Sequence, residues 1–422
     1  MDSTSIIFIL IFLLTILLSA TETVPMSIAA LIGALLTGWF GLQYGVFSYD
    51  DALSFIDMRL IALIVGTLIV VEVAEKSGLF RFGALYAVKL SGGNPGRLFV
   101  SICVISAAVS MFLSDPTAIL LVAAATVTVA KVLNYDPMPY ILSGAIMINL
   151  GGTSTLIGSA SNMIIGVKAG LNFTDFIAYL AICEFALWGL TIFALYMLFR
   201  GRLGQKRALP SYNPWESIED RKLFFRSAII LVLLVVLFLV LENLGVGPEA
   251  VALGCAILAL VLSSSDPAEI FKRLDWETVF FIAGFLFVVG GLGKTGILND
   301  ISTQLLRLTG GSPFKATLVT LWSSGVISMV VSNMAVALTF TPIIGVSTLN
   351  SPPVWSALVL GTNLGGAATP LSGSVCMMAI GALKRENISI SFREFTKIGL
   401  ATTLLQLGFA SFYLIAWFGL GV

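Results

Sequence analysis

The chain has no histidine, only four cysteines, and charged side chains at just 11% of its 422 positions. Without imidazole there is no histidine base, no histidine haem ligand and no histidine metal centre. Cys103, Cys183, Cys255 and Cys376 lie singly in apolar surroundings, without C-x-x-C spacing. That spacing suits packing and argues against a disulfide framework or a zinc site. No G-x-x-x-x-G-K-[ST] loop occurs, so no nucleotide-driven machinery is visible, and no cofactor is called for. A formal net charge of zero offers nothing to nucleic acid. The first apolar run has no basic leader and no small-residue cleavage site after it, so it reads as a span and not a removed signal. No catalytic constellation remains, and the chain is not read as an enzyme.

What fills the chain instead is hydrocarbon. Apolar residues make up 58% of it and the mean hydropathy is +1.01, beyond what the core of a soluble domain requires. Runs such as SIIFILIFLLTILLSA near the start and AIILVLLVVLFLVL at 228–241 are long enough to cross, fully or nearly, a core of about 30 Å. The expectation is an all-α, multi-pass protein of the cell membrane, in contact with the lipid bilayer.

Internal repetition sets the architecture. KSGLF at 76–80 echoes KTGIL at 294–298, LSGGNP at 90–95 echoes LTGGSP at 308–313, and VSMFLSD at 109–115 echoes ISMVVSN at 327–333, each at an offset of 218. NLGGTST at 149–155 echoes NLGGAAT at 363–369 at an offset of 214. Each unit reads as three spans, an amphipathic stretch, a helical hairpin, an interrupted span and a last span. In the first copy these lie near 5–20, 24–45, 60–76, 80–90, 97–133, 152–161 (the interruption) and 176–199. Five crossings per unit turn the second copy upside down relative to the first. Placing the N-terminus outside puts 18 of the 23 basic residues on the inner face, as cytoplasmic loops require. Both termini are then expected outside, with the basic linker 200–226 in the cytoplasm.

Two tracts in this apolar chain are rich in glycine, hydroxyls and asparagine. An unbroken helix satisfies all its backbone groups internally, whereas a broken one exposes amides and carbonyls that a solute or ion can use. Asn149, Gly152, Thr153, Thr155 and Asn162 form the first tract; Asn363, Gly366, Thr369, Ser372 and Ser374, broken at Pro370, form the second. Small residues also serve helix packing. Paired breaks at corresponding positions of inverted halves point to a transport site. The hairpins add Ser114, Asp115 and Thr117 in one copy and Ser332 and Asn333 in the other, at turns read as re-entrant tips that meet the breaks. The alternative is a surface turn, with Asp115 an N-cap ahead of Pro116. Acids inside a membrane are functional by default, which makes Asp115, Glu184 and Glu72 candidates for binding a coupling cation or carrying a coupling proton.

The stretches GGTSTLIGSASN, SNMAVALTFTPII and NLGGAATPLSGSV followed by ISFREFTKIG resemble the ion-transporter superfamily of arsenite permeases, D-type sodium/proton antiporters, the P protein and the divalent-anion/sodium symporters. The likeness spans both repeats, roughly 60–418, and is nearest to the arsenite-permease-like and citrate-transporter-like members. It implies an elevator mechanism, often in a homodimer, with a scaffold from 1–96 and 224–314, a transport part from 97–200 and 315–422, and the linker 201–223 between. Ser332 and Asn333 match the symporters' Ser-Asn-Thr tip, with Met334 in place of Thr; Asp115 and Pro116 depart from it. No Lys or Arg falls in a site segment, and a bare dianion beside Asp115 would be costly. The expected cargo is therefore a small inorganic oxyacid or anion, arsenite-type efflux favoured, or a carboxylate, with sodium or protons as coupling ions. A sodium/proton antiporter is the alternative reading, and a channel-like protein or receptor a more distant one.

Overall fold

The computed structural model describes residues 3–21, 24–207, 213–263, 266–346, 350–388 and 390–419, and among these every regular element is helical. The first repeat runs α1 Ser3–Thr21, α2 Met26–Gln43, α3 Tyr49–Ser54, α4 Met58–Lys76, α5 Leu79–Ser91, α6 Pro95–Ser110, α7 Asp115–Leu133, α8 Met138–Gly151, α9 Ala160–Ala169 and α10 Phe173–Phe199. The second follows in the same order: α11 Arg221–Leu241, α12 Pro248–Ser263, α13 Pro267–Arg273, α14 Trp276–Lys294, α15 Ile297–Thr309, α16 Pro313–Ser328, α17 Asn333–Gly345, α18 Pro352–Gly365, α19 Ser374–Arg385 and α20 Phe392–Trp417. Eight of the described helices are long and apolar enough to cross a membrane. The remaining expected crossings are α12 and the two helices that break in mid-course, α8–α9 and α18–α19.

The short helices α3 and α13 were not expected from the sequence. They are held by local chemistry: Ser48 and Asp51 form a capping box on α3, and Asp266 caps α13 ahead of Pro267. Each then clasps the other repeat. Lys294 at the end of α14 bonds Asp51 on α3 at 2.7 Å, and Lys76 at the end of α4 bonds Glu269 on α13 at 2.8 Å. Both pairs are solvent-exposed and worth little energy. Their value is as a mark of symmetry, since 76 and 294, like 51 and 269, stand 218 apart.

The repeats interlock in two layers. In one, α2 packs along α14 and α4 along α12, with α1 and α11 outside them. The crossings are close because each carries a glycine: a Cβ on Gly66 would lie 2.7 Å from the Ala252 carbonyl carbon, and one on Gly284 would lie 2.9 Å from that of Ala30. In the other layer α6 packs on α8 and α16 on α18, while the second hairpin arms trade partners: α7 lies on α19 and α17 on α9. Both ends of the first hairpin sit together, since the Tyr135 hydroxyl after α7 donates to the Gly93 carbonyl before α6 at 3.0 Å. The hairpin therefore enters and leaves on one face, as a re-entrant pair and a pair of full spans both require, and its second arm α7 is one of the eight helices long enough to cross. The linker's first part is bonded to the hairpin layer, Arg202 to Asp136 at 2.8 Å, while Trp215 packs on Phe82 and Phe224.

Replacing Gly66 or Gly284 by valine would drive a side chain into backbone that cannot retreat, at a cost of about 1–3 kcal/mol or more. Thermal unfolding in detergent should fall for both variants and stay unchanged for valine at Gly254, where a Cβ meets nothing within 4 Å. Equal melting of all three would remove the crossing from the account of stability.

Candidate functional site

The breaks form where α8 runs out at Gly151–Gly152 and α18 at Gly365–Gly366. Both helix ends press on the first hairpin arm with no room for a Cβ, Gly151 against Ala107 and Gly365 against Gly325. The same two welds follow. Ser110 donates to the Ile148 carbonyl at 2.6 Å and Ser328 to that of Thr362 at 2.8 Å. Thr155 donates to the Met111 carbonyl at 3.4 Å and Thr369 to that of Met329 at 2.6 Å. Each tip is thus fixed to its own broken helix by hydroxyls that take carbonyls left free at helix ends.

The freed carbonyls inside the breaks are also satisfied. Asn162 donates its amide to the carbonyls of Gly152 and Thr155, both at 2.8 Å. In the second repeat the corresponding carbonyls, Gly366 and Thr369, fall to the Ser372 hydroxyl at 2.7 and 2.6 Å. Asn363 ties the second break to the first: it donates to the Asn162 side-chain oxygen at 2.8 Å while also bonding the Val359 carbonyl at 2.8 Å. Asn162 and Asn363 are 0% and 3% exposed. Thr153 returns to the Leu150 carbonyl at 2.7 Å, and Thr117 meets the Ser114 hydroxyl at 3.0 Å.

These bonds sort the expected site residues into two groups. Ser114, Asp115, Asn149, Ser332, Asn333 and Ser372 line one cavity of about 190 Å³, so both tips and both breaks converge although more than 200 positions separate them. Thr117, Gly152, Thr153, Thr155, Asn162, Asn363, Gly366 and Thr369 do not line it; they form the bonded frame behind it or beside the tips. The side chain of Ser374 lies outside the described residues. Of the three candidate acids only Asp115 reaches the cavity. Glu184, fully buried, accepts the Ser154 amide and the Trp188 indole N–H, the latter at 3.1 Å, and so ties α10 to the break. Glu72 faces Arg273 at 3.9 Å in the other layer.

Sequence reasoning missed the cavity's mouth. Asp275, Glu277 and Thr278, with Ser19, Met26 and Thr67, complete the wall, and Glu277 accepts the Met26 amide at 3.1 Å. The signal was available, because Asp275-Trp276-Glu277 matches Asp57-Met58-Arg59 at the 218 offset. The mouth lies on the face that carries the linker. Among the described residues no lysine or arginine lines this cavity, whereas three acids do: Asp115, Asp275 and Glu277. Chemically it offers hydroxyls, amides and carboxylates, suited to a neutral polyol acid, a cation, or an anion that brings its own cations or protons.

A family model for citrate transporters matches residues 13–358. The chain is 30% identical over 420 residues to the 46 kDa membrane protein of Mycobacterium leprae, covering 97% of this chain and 98% of that one. It is 25% identical over 437 residues to the P protein of Sus scrofa, covering 83% of this chain and 52% of that protein. Among solved structures the YdaH transporter of Alcanivorax borkumensis superimposes with a TM-score of 0.64 at 18% identity, over 100% of this chain and 99% of that one. That likeness concerns the fold.

Cutting the Asn162–Asn363 bond leaves buried amides and carbonyls unpaired, at about 1–3 kcal/mol each. Asn162→Ala and Asn363→Ala should each lower thermal stability, and the double variant should fall short of their sum by about 1 kcal/mol. Strict additivity in that cycle would mean the two breaks are not coupled through this pair.

Proposed function

This chain belongs to the citrate transporter family, and on that premise we propose that it is a secondary active carrier moving a small oxyacid or carboxylate by an elevator movement coupled to sodium or protons. The observation that carries the reading is the single cavity at which two inverted hairpin tips and two broken helices meet. Bonds of one kind hold each tip to its break, so hairpins, broken helices, α10 and α20 can shift as one body against the layer of α1–α4 and α11–α14. By the basic-residue orientation the cavity opens inward. The helices α5 and α15, which link the layers, would ride at the two membrane faces. A homodimer, with the α1–α4 and α11–α14 layers meeting, is part of the proposal.

The lining narrows the cargo by charge. Three acids and no base favour the undissociated arsenite-type acid, a neutral polyol that hydroxyls and amides can hold. A carboxylate such as the family's name suggests would enter with protons or sodium ions that offset Asp115. Both belong in the first panel. The acid-only lining also favours a second reading, a sodium/proton antiporter in which the cation is the cargo. Saturation and counterflow distinguish either from a channel or a receptor.

Proteoliposomes offered arsenite, phosphate, sulfate, citrate, succinate and sodium, each with imposed sodium or proton gradients, test the proposal. It expects saturable, counterflow-competent uptake of one oxyacid or carboxylate that responds to a cation gradient. Sodium and proton exchange with no solute movement would transfer the case to the antiporter. Asp115→Asn keeps shape and copies Asn333 in the matching tip, so solute binding should survive while the sodium or pH dependence weakens or vanishes. An unchanged rate, sodium dependence and pH profile would remove Asp115 from coupling.

A further inference from the structure

On the face opposite the linker a second cavity, of about 540 Å³, separates the same two layers. Its fixed wall is the symmetry copy of the inner mouth. Leu286 and Val289 stand where Leu68 and Val71 stand in the inner cavity, and Asp57 stands where Asp275 stands, all 218 apart. Two positions that line both cavities differ, Leu60 for Thr278 and Arg59 for Glu277, and at the second the charge inverts. On the opposite wall Lys168, at the end of α9, adds a second cation, where α19 has Ala382 at the 214 offset. The Arg59 guanidinium lies 3.7 Å from Asp57, the cavity's one acid, and its side chain is 73% exposed. Lys168 forms no ion pair among the described residues. The outer cavity therefore carries net positive charge, and the inner one only negative.

We infer that the outer cavity is an anion-binding vestibule in which Arg59 and Lys168 hold a carboxylate or oxyanion before it reaches the hairpin tips. The inference rests on the carboxylate or ionised-oxyanion branch of the proposed function, not on the undissociated acid, and it adds that such a cargo meets the outer face in its anionic form. An arginine fork matches two oxygens of such a group, and the lysine supplies a movable point charge on the facing wall. Between low-dielectric walls a net charge concentrates counter-ions. The inner mouth, lined by Asp275 and Glu277, repels the same anion and gathers cations. Vestibule charge leaves the overall equilibrium of the carrier untouched and makes its two faces unequal in apparent affinity.

The symmetric leucines provide the test without knowing the solute. Single cysteines are placed at Leu286 and at Leu68, and the rates of modification by an anionic and a cationic methanethiosulfonate are compared with those of a free thiol. The native cysteines are all buried. In phosphate-free detergent, Leu286→Cys should favour the anionic reagent by about threefold or more and Leu68→Cys the cationic one, both preferences fading with salt. Adding R59Q and K168Q to Leu286→Cys should abolish its preference, and adding R59E alone should reverse it. Citrate or phosphate should slow the anionic reagent at Leu286→Cys and not at Leu68→Cys. Equal preferences at the two leucines, or a preference that survives R59Q/K168Q, would overturn the vestibule. If phosphatidylglycerol abolishes the preference while citrate and phosphate do not compete, the pair holds a lipid phosphate and the inference fails. Charge selectivity with no solute transported from the panel would instead count against the carrier reading, so the two failures are distinguishable.

Discussion

Inside a membrane a backbone group that leaves its helix must find a partner within the protein, because lipid supplies none. Everything around the cavity follows from that constraint. Two helices stop in mid-course, and the carbonyls they release are taken by Asn162 in one repeat and Ser372 in the other. Met111 and Met329 at the hairpin tips are bonded by Thr155 and Thr369 from the breaks. Side chains that in water would be unremarkable become obligatory here. The framework they build leaves Asp115 on the cavity wall beside Asn149, Ser332 and Asn333, whose side chains bond backbone of their own helices.

Duplication makes the constraint cheap to satisfy twice, and the departures from symmetry carry the functional content. Gly66 and Gly284, Lys76 and Lys294, and Ser110 and Ser328 are paired because the interlocked repeats need the same contact at each end. Asp115 against Asn333, Arg59 against Glu277, and Glu184, which ties α10 to the break, against the Thr403 that bonds the Leu364 carbonyl, are not paired in this way. All three exchanges change a charge, and two of the three positions line a cavity between the layers. A protein that presents different faces to two compartments has to break its own symmetry somewhere, and it does so at the tips and mouths.

Most of the fold was legible in the sequence because apolar length and the repeat offsets are long-range signals. The unit's spans, its amphipathic stretch, its hairpin and its break were read from runs such as 149–155 and 363–369. The short helices α3 and α13 escaped, since six or seven residues carry too little periodicity and are stabilised by caps and by a lysine from the other repeat. For the site, residue type identified tracts that reach the cavity without distinguishing lining from frame. A threonine that faces a solute and one that bonds a neighbouring carbonyl look alike in one dimension. Only the tertiary welds separate Ser332 from Thr369, and only the crossing of layers brings Asp275 and Glu277 to the mouth.

The central claim is that hairpins and broken helices move as one body against the α2–α14 and α4–α12 layer. Spin labels at Tyr44, after α2, and at Val346, after α17, are exposed and sit on the two bodies at the same membrane face. Their distance distribution in liposomes measures the movement directly. The account predicts two separated distances whose populations shift when the transported solute and its coupling gradient are applied. A single distance, unchanged under conditions in which the same liposomes transport, would contradict it.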